Sequence, residues 1–189
     1  MKDVRNSATD VPVTCDVLIV GGGPAGSTAA TLLARAGHAV VMLEKASHPR
    51  FHIGESLLPM NMPILERLGV LDRVRAIGVV KRGADFPVDG DRYNVFHFNR
   101  ALRSGFDHAL QVRREDFDRV LFDHARGCGV DARENTKALR LETGPDGRPL
   151  RVHARGPEGD ITFRPRFVLD ASGRDTFLGS QFRLKKRNA

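Results

Sequence analysis

Three glycines spaced Gly21-x-Gly23-x-x-Gly26, followed by the carboxylate of Glu44, are the residues whose chemistry is most readily named. Gly21 lets the chain turn tightly, Gly23 removes a side chain where backbone approaches a pyrophosphate, and Gly26 lets a helix pack closely on a strand. Pro24 and Ala25 complete the turn. The unpaired N–H groups and the dipole at a helix start then favour a phosphate's negative charge. Glu44 follows Gly26 by 18 residues, where an acid accepts hydrogen bonds from ribose hydroxyls, and Lys45 stands beside it. An acid there disfavours a ribose 2′-phosphate, so the tightly held nucleotide is not expected to be NADP.

Other chemistries find less support. Cys15 and Cys128 lie far apart without a ligand-spaced Cys or His partner, so no metal site is expected. No Gly-x-Ser-x-Gly elbow and no Gly-x-x-x-x-Gly-Lys-Ser/Thr loop occurs. The net charge is +7, with 30 basic and 23 acidic residues, which invites a nucleic-acid reading. Yet the arginines are scattered, and only Arg183, Lys185, Lys186 and Arg187 cluster. With no Trp and one Tyr there is no aromatic-interleaved basic motif, so no nucleic-acid partner is expected. Apolar runs are too short for a membrane span, and the charged Met1–Arg5 start lacks a secretion core, so the expected location is cytoplasmic.

The elements that must position these residues follow from periodicity. Cys15–Val20 and Ala39–Leu43 read as buried parallel strands around a helix from Pro24 to Ala36, stopped by Gly37. A helix is predicted over 56–68, capped near Glu55 or Ser56, with Pro59 in its first turn and a kink or break at Pro63. Alternation over 91–100 and 106–112 predicts short antiparallel strands, and Arg114–Arg126 a helix ended by Gly127-Cys128-Gly129. Two Pro/Gly turns divide 137–164 into a β-meander, and Arg166–Asp170 reads as another buried strand.

The block Gly21–Gly26 with Ala30 and Glu44 resembles the FAD-binding fold of the p-hydroxybenzoate hydroxylase type. Arg50-Phe51-His52-Ile53-Gly54-Glu55-Ser56-Leu57-Leu58-Pro59, Arg114-x-x-Phe117-Asp118 and Asp170-Ala171-Ser172-Gly173 are similar to blocks of the flavin-dependent halogenases and their oxidoreductase relatives. The four blocks run in family order over residues 15 to 180. The resemblance implies an α/β fold: a Rossmann-like FAD-binding domain with a parallel sheet, a β-meander and the start of an antiparallel β substrate domain. It assigns Gly21, Gly23, Pro24, Ala25, Gly26, Glu44, Lys45, Arg50, Gly54, Glu55, Ser56, Arg114, Asp170, Ser172 and Gly173 to FAD. Arg113 stands in for Arg114 if the helix register is off by one. His52 could face the flavin, and His97 and His108 fall in the expected substrate cover.

Halogenases of this kind react reduced flavin with oxygen and halide, and a lysine presents the resulting hypohalous acid to an electron-rich substrate. Lys81-Arg82-Gly83-Ala84-Asp85-Phe86 is similar to the stretch that carries that lysine, which makes Lys81 the catalytic candidate. The implied partners are a small-molecule substrate, halide, and a flavin reductase or NAD(P)H. An aromatic monooxygenase, a geranylgeranyl-reductase-like enzyme and a non-catalytic FAD-binding fragment remain alternatives. The family's Trp-x-Trp-x-Ile-Pro element is absent, as is its Gly-Asp motif after the Asp170 block. The chain is accordingly expected to be the N-terminal portion of a larger flavoenzyme. Expected boundaries are 1–13 for a lead-in, 14–82 and 113–180 for the FAD-binding domain, 83–112 for the substrate-domain insertion, and 181–189 for a basic tail.

Overall fold

The computed structural model describes residues 11–100 and 105–184, so most of the lead-in and residues 185–189 of the basic tail lie outside it. The chain divides into two compact units, Met1–Ser47 with Ala125–Ala189, and His48–His124.

The first unit is built on a six-stranded sheet. In chain order its elements are β1 (Val13–Val20), α1 (Pro24–Arg35) and β2 (Val40–Leu43). After the second unit come β7 (Asp131–Arg133), β8 (Lys137–Thr143), β9 (Pro149–Gly156), β10 (Gly159–Asp170) and α5 (Phe177–Gln181). The strand order is β7-β2-β1-β10-β9-β8. The β7-β2-β1-β10 side is parallel and the β10-β9-β8 side antiparallel, so the expected parallel sheet and meander are one continuous sheet. All four residues of β2 are buried, as a central parallel strand demands. Leu18, Val20, Val41, Leu43, Val152 and Phe163 form the heart of the core beneath the meander.

One expectation is corrected here. Arg166–Asp170 is not a separate buried strand but the second half of β10, a single 12-residue strand. Its first half pairs antiparallel with β9 and its second half parallel with β1. Pro165 does not end it, because it sits in strand geometry where its ring is tolerated, opposite Cys15. Phe167 and Leu169 are 64% and 39% exposed, so the strand is open to solvent on one side.

The second unit contains α2 (Met62–Leu68), α3 (Leu71–Ala76), β3 (Gly78–Lys81), β4 (Gly83–Asp89), β5 (Arg92–His97) and β6 (Ala109–Val112). The long helix α4 (Arg114–Gly127) begins in it. β3 pairs antiparallel with β6, and β4 with β5. Met62, Leu65, Leu68, Val70, Val74, Leu110, Val112 and Phe122 make its core.

The helix expected over 56–68 is shorter than its pattern suggests. Leu58 is extended, as the residue before a proline should be, and Pro59–Asn61 is only a 3-10 turn. Pro63 then falls in the first turn of α2, where its missing N–H costs nothing, so it starts a helix rather than breaking one. The residues in front of it pair with a strand instead: Leu57 donates to Leu110 O and Val112 donates to Glu55 O.

Candidate functional site

The glycine turn joins β1 to α1, and its geometry shows why glycine stands at two positions. Gly21 has φ 109°, and a Cβ there would lie 2.4 Å from Ala171 O. A Cβ at Gly26 would lie 1.9 Å from Gly21 O. The turn is therefore packed backbone on backbone, against its own start and against the Ala171-Ser172 turn that follows β10. Gly21 N–H donates to Leu43 O and Ala171 N–H to Val20 O, which ties the ends of β2, β1 and β10 together.

Gly23 caps α1 in extended geometry, Pro24 occupies the first turn, and no side chain satisfies the first amides. That first turn carries no acidic residue. The positive end of the helix is thus left for an anion, with Ala25 offering no bulk beside it. Ser27, 1% exposed, donates from its hydroxyl to Gly22 O and holds the turn from below.

Glu44 is 4% exposed and ends β2 in direct contact with the turn. Its Oε2 accepts from Gly22 N–H at 2.9 Å and its Oε1 from Ala46 N–H at 3.0 Å. Each carboxylate oxygen can accept more than one hydrogen bond, so these two bonds do not by themselves exhaust the group. Lys45 forms an ion pair with Asp175, and both side chains are about half exposed, 54% and 55%.

At the end of β10, Asp170 is consumed by its own turn. Its Oδ1 accepts from Ser172 N–H and Oγ–H, and its Oδ2 from Leu178 N–H at 2.8 Å. Ser172 Oγ in turn accepts from Phe177 N–H. Gly173 follows with φ 64°, and nothing lies near the Cβ it lacks. These side chains build the turn that Gly21 packs upon.

The remaining candidates stand in the second unit. Arg114 and Arg50 converge on Asp118, which is 0% exposed. Arg114 grips that carboxylate with Nε and Nη2, at 2.8 and 2.9 Å, and its Nη1 donates to Ile53 O at 3.0 Å. Arg50 Nη2 lies 3.8 Å from Asp118 Oδ2. Arg113, the alternative to Arg114, is 70% exposed and pairs with Glu115. Gly54, next to the gripped carbonyl, has φ 101°, which a side chain would strain.

Glu55 and Ser56 are not the helix cap expected of them. Ser56 bridges Gln111 of β6 in antiparallel fashion, and Gln111 Nε2 reaches Glu55 at 3.5 Å. Lys81 ends β3 with its Nζ on Ser56 Oγ and 5.5 Å from the centre of the Phe98 ring. His97 ends β5 opposite Gly83, and His108 hydrogen-bonds Asp107. Sequence reasoning assigned no role to Asp118, Gln111, Ser27 or Asp175. The Arg114/Asp118 spacing of one helical turn was the available signal for the first of these.

Away from these groups, an open cavity of about 470 Å³ is lined by Cys15, Asp16, Arg164 and Arg166 near the other end of β1. Burial, with the neighbouring Asp16 charge, pushes the Cys15 thiol up to about 11, far from a reactive thiolate. Among the described residues no group of three His, Cys, Asp or Glu could hold a metal, and no helix is long and apolar enough to cross a membrane.

Comparison with known proteins agrees with this geometry. A family model described as an FAD binding domain matches residues 14–188. The tryptophan 2-halogenase of Chondromyces crocatus is 43% identical over 178 residues, covering 91% of this chain and 33% of that protein. The flavin-dependent halogenase armH3 of Armillaria mellea is 37% identical, covering 94% of this chain and 36% of that protein. The solved myxobacterial chondrochloren halogenase CndH, an FAD-dependent halogenase, superposes with a TM-score of 0.81 at 37% identity, over 87% of this chain and 38% of its own. The chain thus spans about a third of the length of the curated relatives it matches. With the glycine turn, the α1 amides and Glu44 fitting the cofactor, the chain belongs to the FAD-binding domain family.

Proposed function

We propose that this chain is the FAD-binding part of a flavin-dependent halogenase acting on an electron-rich small molecule. The observation that carries the reading is the 43% identity, over nearly the whole chain, to a protein named as a halogenase. Gly21, Gly23, Pro24, Ala25 and Gly26 would hold the pyrophosphate and Glu44 the ribose, with Lys45 at the rim. Asp170, Ser172 and Gly173 support the same turn from behind. Arg50, Gly54, Glu55 and Ser56 lie on the loop assigned, together with Arg114 of α4, to the rest of the cofactor, and Arg114 and Asp118 set its shape.

Bound there in its reduced form, FAD would supply the two electrons with which dioxygen, a halide ion and three protons give hypohalous acid and one water. Lys81 then orients that oxidant: its ammonium donates a hydrogen bond to the hypohalous oxygen and leaves the halogen exposed to the substrate. The substrate ring gains halogen and loses a proton, and the oxidant's oxygen leaves as water. A flavin reductase or NAD(P)H supplies the electrons. Residues 83–112, with the exposed β4–β5 ribbon, begin the substrate cover between the FAD-binding segments 14–82 and 113–180. Cys15 and Cys128 are not joined in a disulfide, which favours a cytoplasmic setting.

The test supplies chemically reduced FAD, oxygen and chloride or bromide to the full-length enzyme with phenol and indole probes, and weighs the products. Halogenated product in wild type, lost in Lys81→Ala, is the expected result. A product that gains only oxygen would make the enzyme a monooxygenase. Halogenation retained in Lys81→Ala would remove the lysine's role.

A further inference from the structure

We infer that Ser56 is the positioning residue for Lys81, with the Phe98 ring as the second support of its ammonium. This rests on the catalytic reading of Lys81 above and adds to it a residue that acts on the lysine.

The argument begins with the strands. The 55–57 segment lies along β6 on the side opposite β3, so a three-stranded patch forms. Successive strand residues point to opposite faces. Ser56 pairs with Gln111, and Lys81 pairs with Ala109, two residues away on β6, so the four share one face. Leu57, Leu110 and Val112 take the other face and are buried, at 8%, 0% and 2% exposure. That burial fixes the register, because a slip by one residue would turn Ser56 into the core and Leu57 out of it.

Ala109 is the permissive residue in this patch. Its side chain is a single methyl, so the Lys81 stem can reach diagonally past it to Ser56 Oγ. Phe98 is 4% exposed and held by its own N–H on Arg82 O, which makes its ring a fixed surface. An ammonium over an aromatic face is attracted by the ring quadrupole, here at 5.5 Å. Among the described residues, no carboxylate lies within ion-pairing distance of Lys81. Two neutral partners therefore aim the ammonium without neutralising it, and its remaining N–H bonds stay free to donate to an oxidant.

The experiment compares wild type, Ser56→Ala and Ser56→Thr in the full-length enzyme by two readouts. The first is competitive acetylation with acetic anhydride, read by mass spectrometry as Lys81 labelling relative to Lys137. Loss of one hydrogen bond should raise Lys81 labelling roughly twofold to tenfold in Ser56→Ala, and Ser56→Thr should restore it. The second is halogenated product per flavin oxidised. That ratio should fall roughly tenfold to a hundredfold in Ser56→Ala and recover in Ser56→Thr. Equal labelling in wild type and Ser56→Ala overturns the inference. So does a product loss that only tracks slower flavin oxidation, because Ser56 would then act at the flavin. Altered labelling with Lys81→Ala still halogenating would leave the contact standing and remove the catalytic reading instead.

Discussion

At Glu44 one carboxylate serves two ends. The sequence assigns it to a ribose by its distance from the glycines, and the structure shows it also holding Gly22 and Ala46 by their amides. These are charge-assisted bonds in a site only 4% exposed, so they are stronger than neutral ones. Glu44→Gln presents one NH₂ donor to a backbone N–H donor, which the loop must move to avoid. FAD affinity should fall roughly tenfold to a hundredfold, the weight of one or two hydrogen bonds to a charged group. Titrating flavin fluorescence against the apoprotein measures it. Affinity equal to wild type would mean that Glu44 neither shapes the loop nor meets the ribose.

Elements explain what single residues could not. Arg114 resembles a cofactor contact in the sequence, yet all three of its guanidinium nitrogens are engaged, two by Asp118 and one by Ile53 O. It clamps the loop that carries Gly54, Glu55 and Ser56 to the first turn of α4. Asp118→Asn leaves Arg114 and Arg50 facing a neutral group with donors of its own, at a position with no solvent access. The loss should be about 3–5 kcal/mol, as for other broken buried ion pairs. Urea unfolding reads it, with exposed Arg113→Ala as the control expected within about 0.5 kcal/mol of wild type. The same scale shows what was legible. The strand–glycine–helix unit could be read because Cys15–Val20 and Gly21–Gly26 act over a few adjacent residues. The helix expected over 56–68 starts late because residues 55–57 pair with β6, Ser56 with Gln111 across 55 positions, a pairing that no local pattern encodes. β10 was split in two for the same reason: its halves face different strands, and only the assembled sheet joins them. Lys81 and Ser56, 25 residues apart, meet by that non-local pairing as well.

Across the whole molecule, the arginine excess is less free than its count suggests. Arg133 pairs with Asp131, Arg140 with Glu142, Arg155 with Asp160 and Arg166 with Asp16. Four carboxyls are held below the usual carboxylate range. For Asp16 the main cause is the Ala39 N–H, then Arg166; for Asp107 it is His108; for Glu142, Arg140; for Asp160, Arg155. A carboxyl whose folded value is depressed contributes stability above its unfolded value, about 4 for these groups. That contribution is lost as pH falls through the lower folded value. Protonation also removes the 23 acidic charges that offset 30 basic ones, so the net charge climbs from +7 and the compact chain repels itself. Both effects act in the same direction. Thermal unfolding followed from pH 7 to pH 3 should show a plateau down to about pH 5 and then a falling Tm. Added salt screens the repulsion but cannot re-ionise the protonated carboxyls of these exposed pairs, so it should recover only part of the loss. A Tm that is flat to pH 3, or one restored in full by salt, would show that these pairs are surface ornaments without weight in folding.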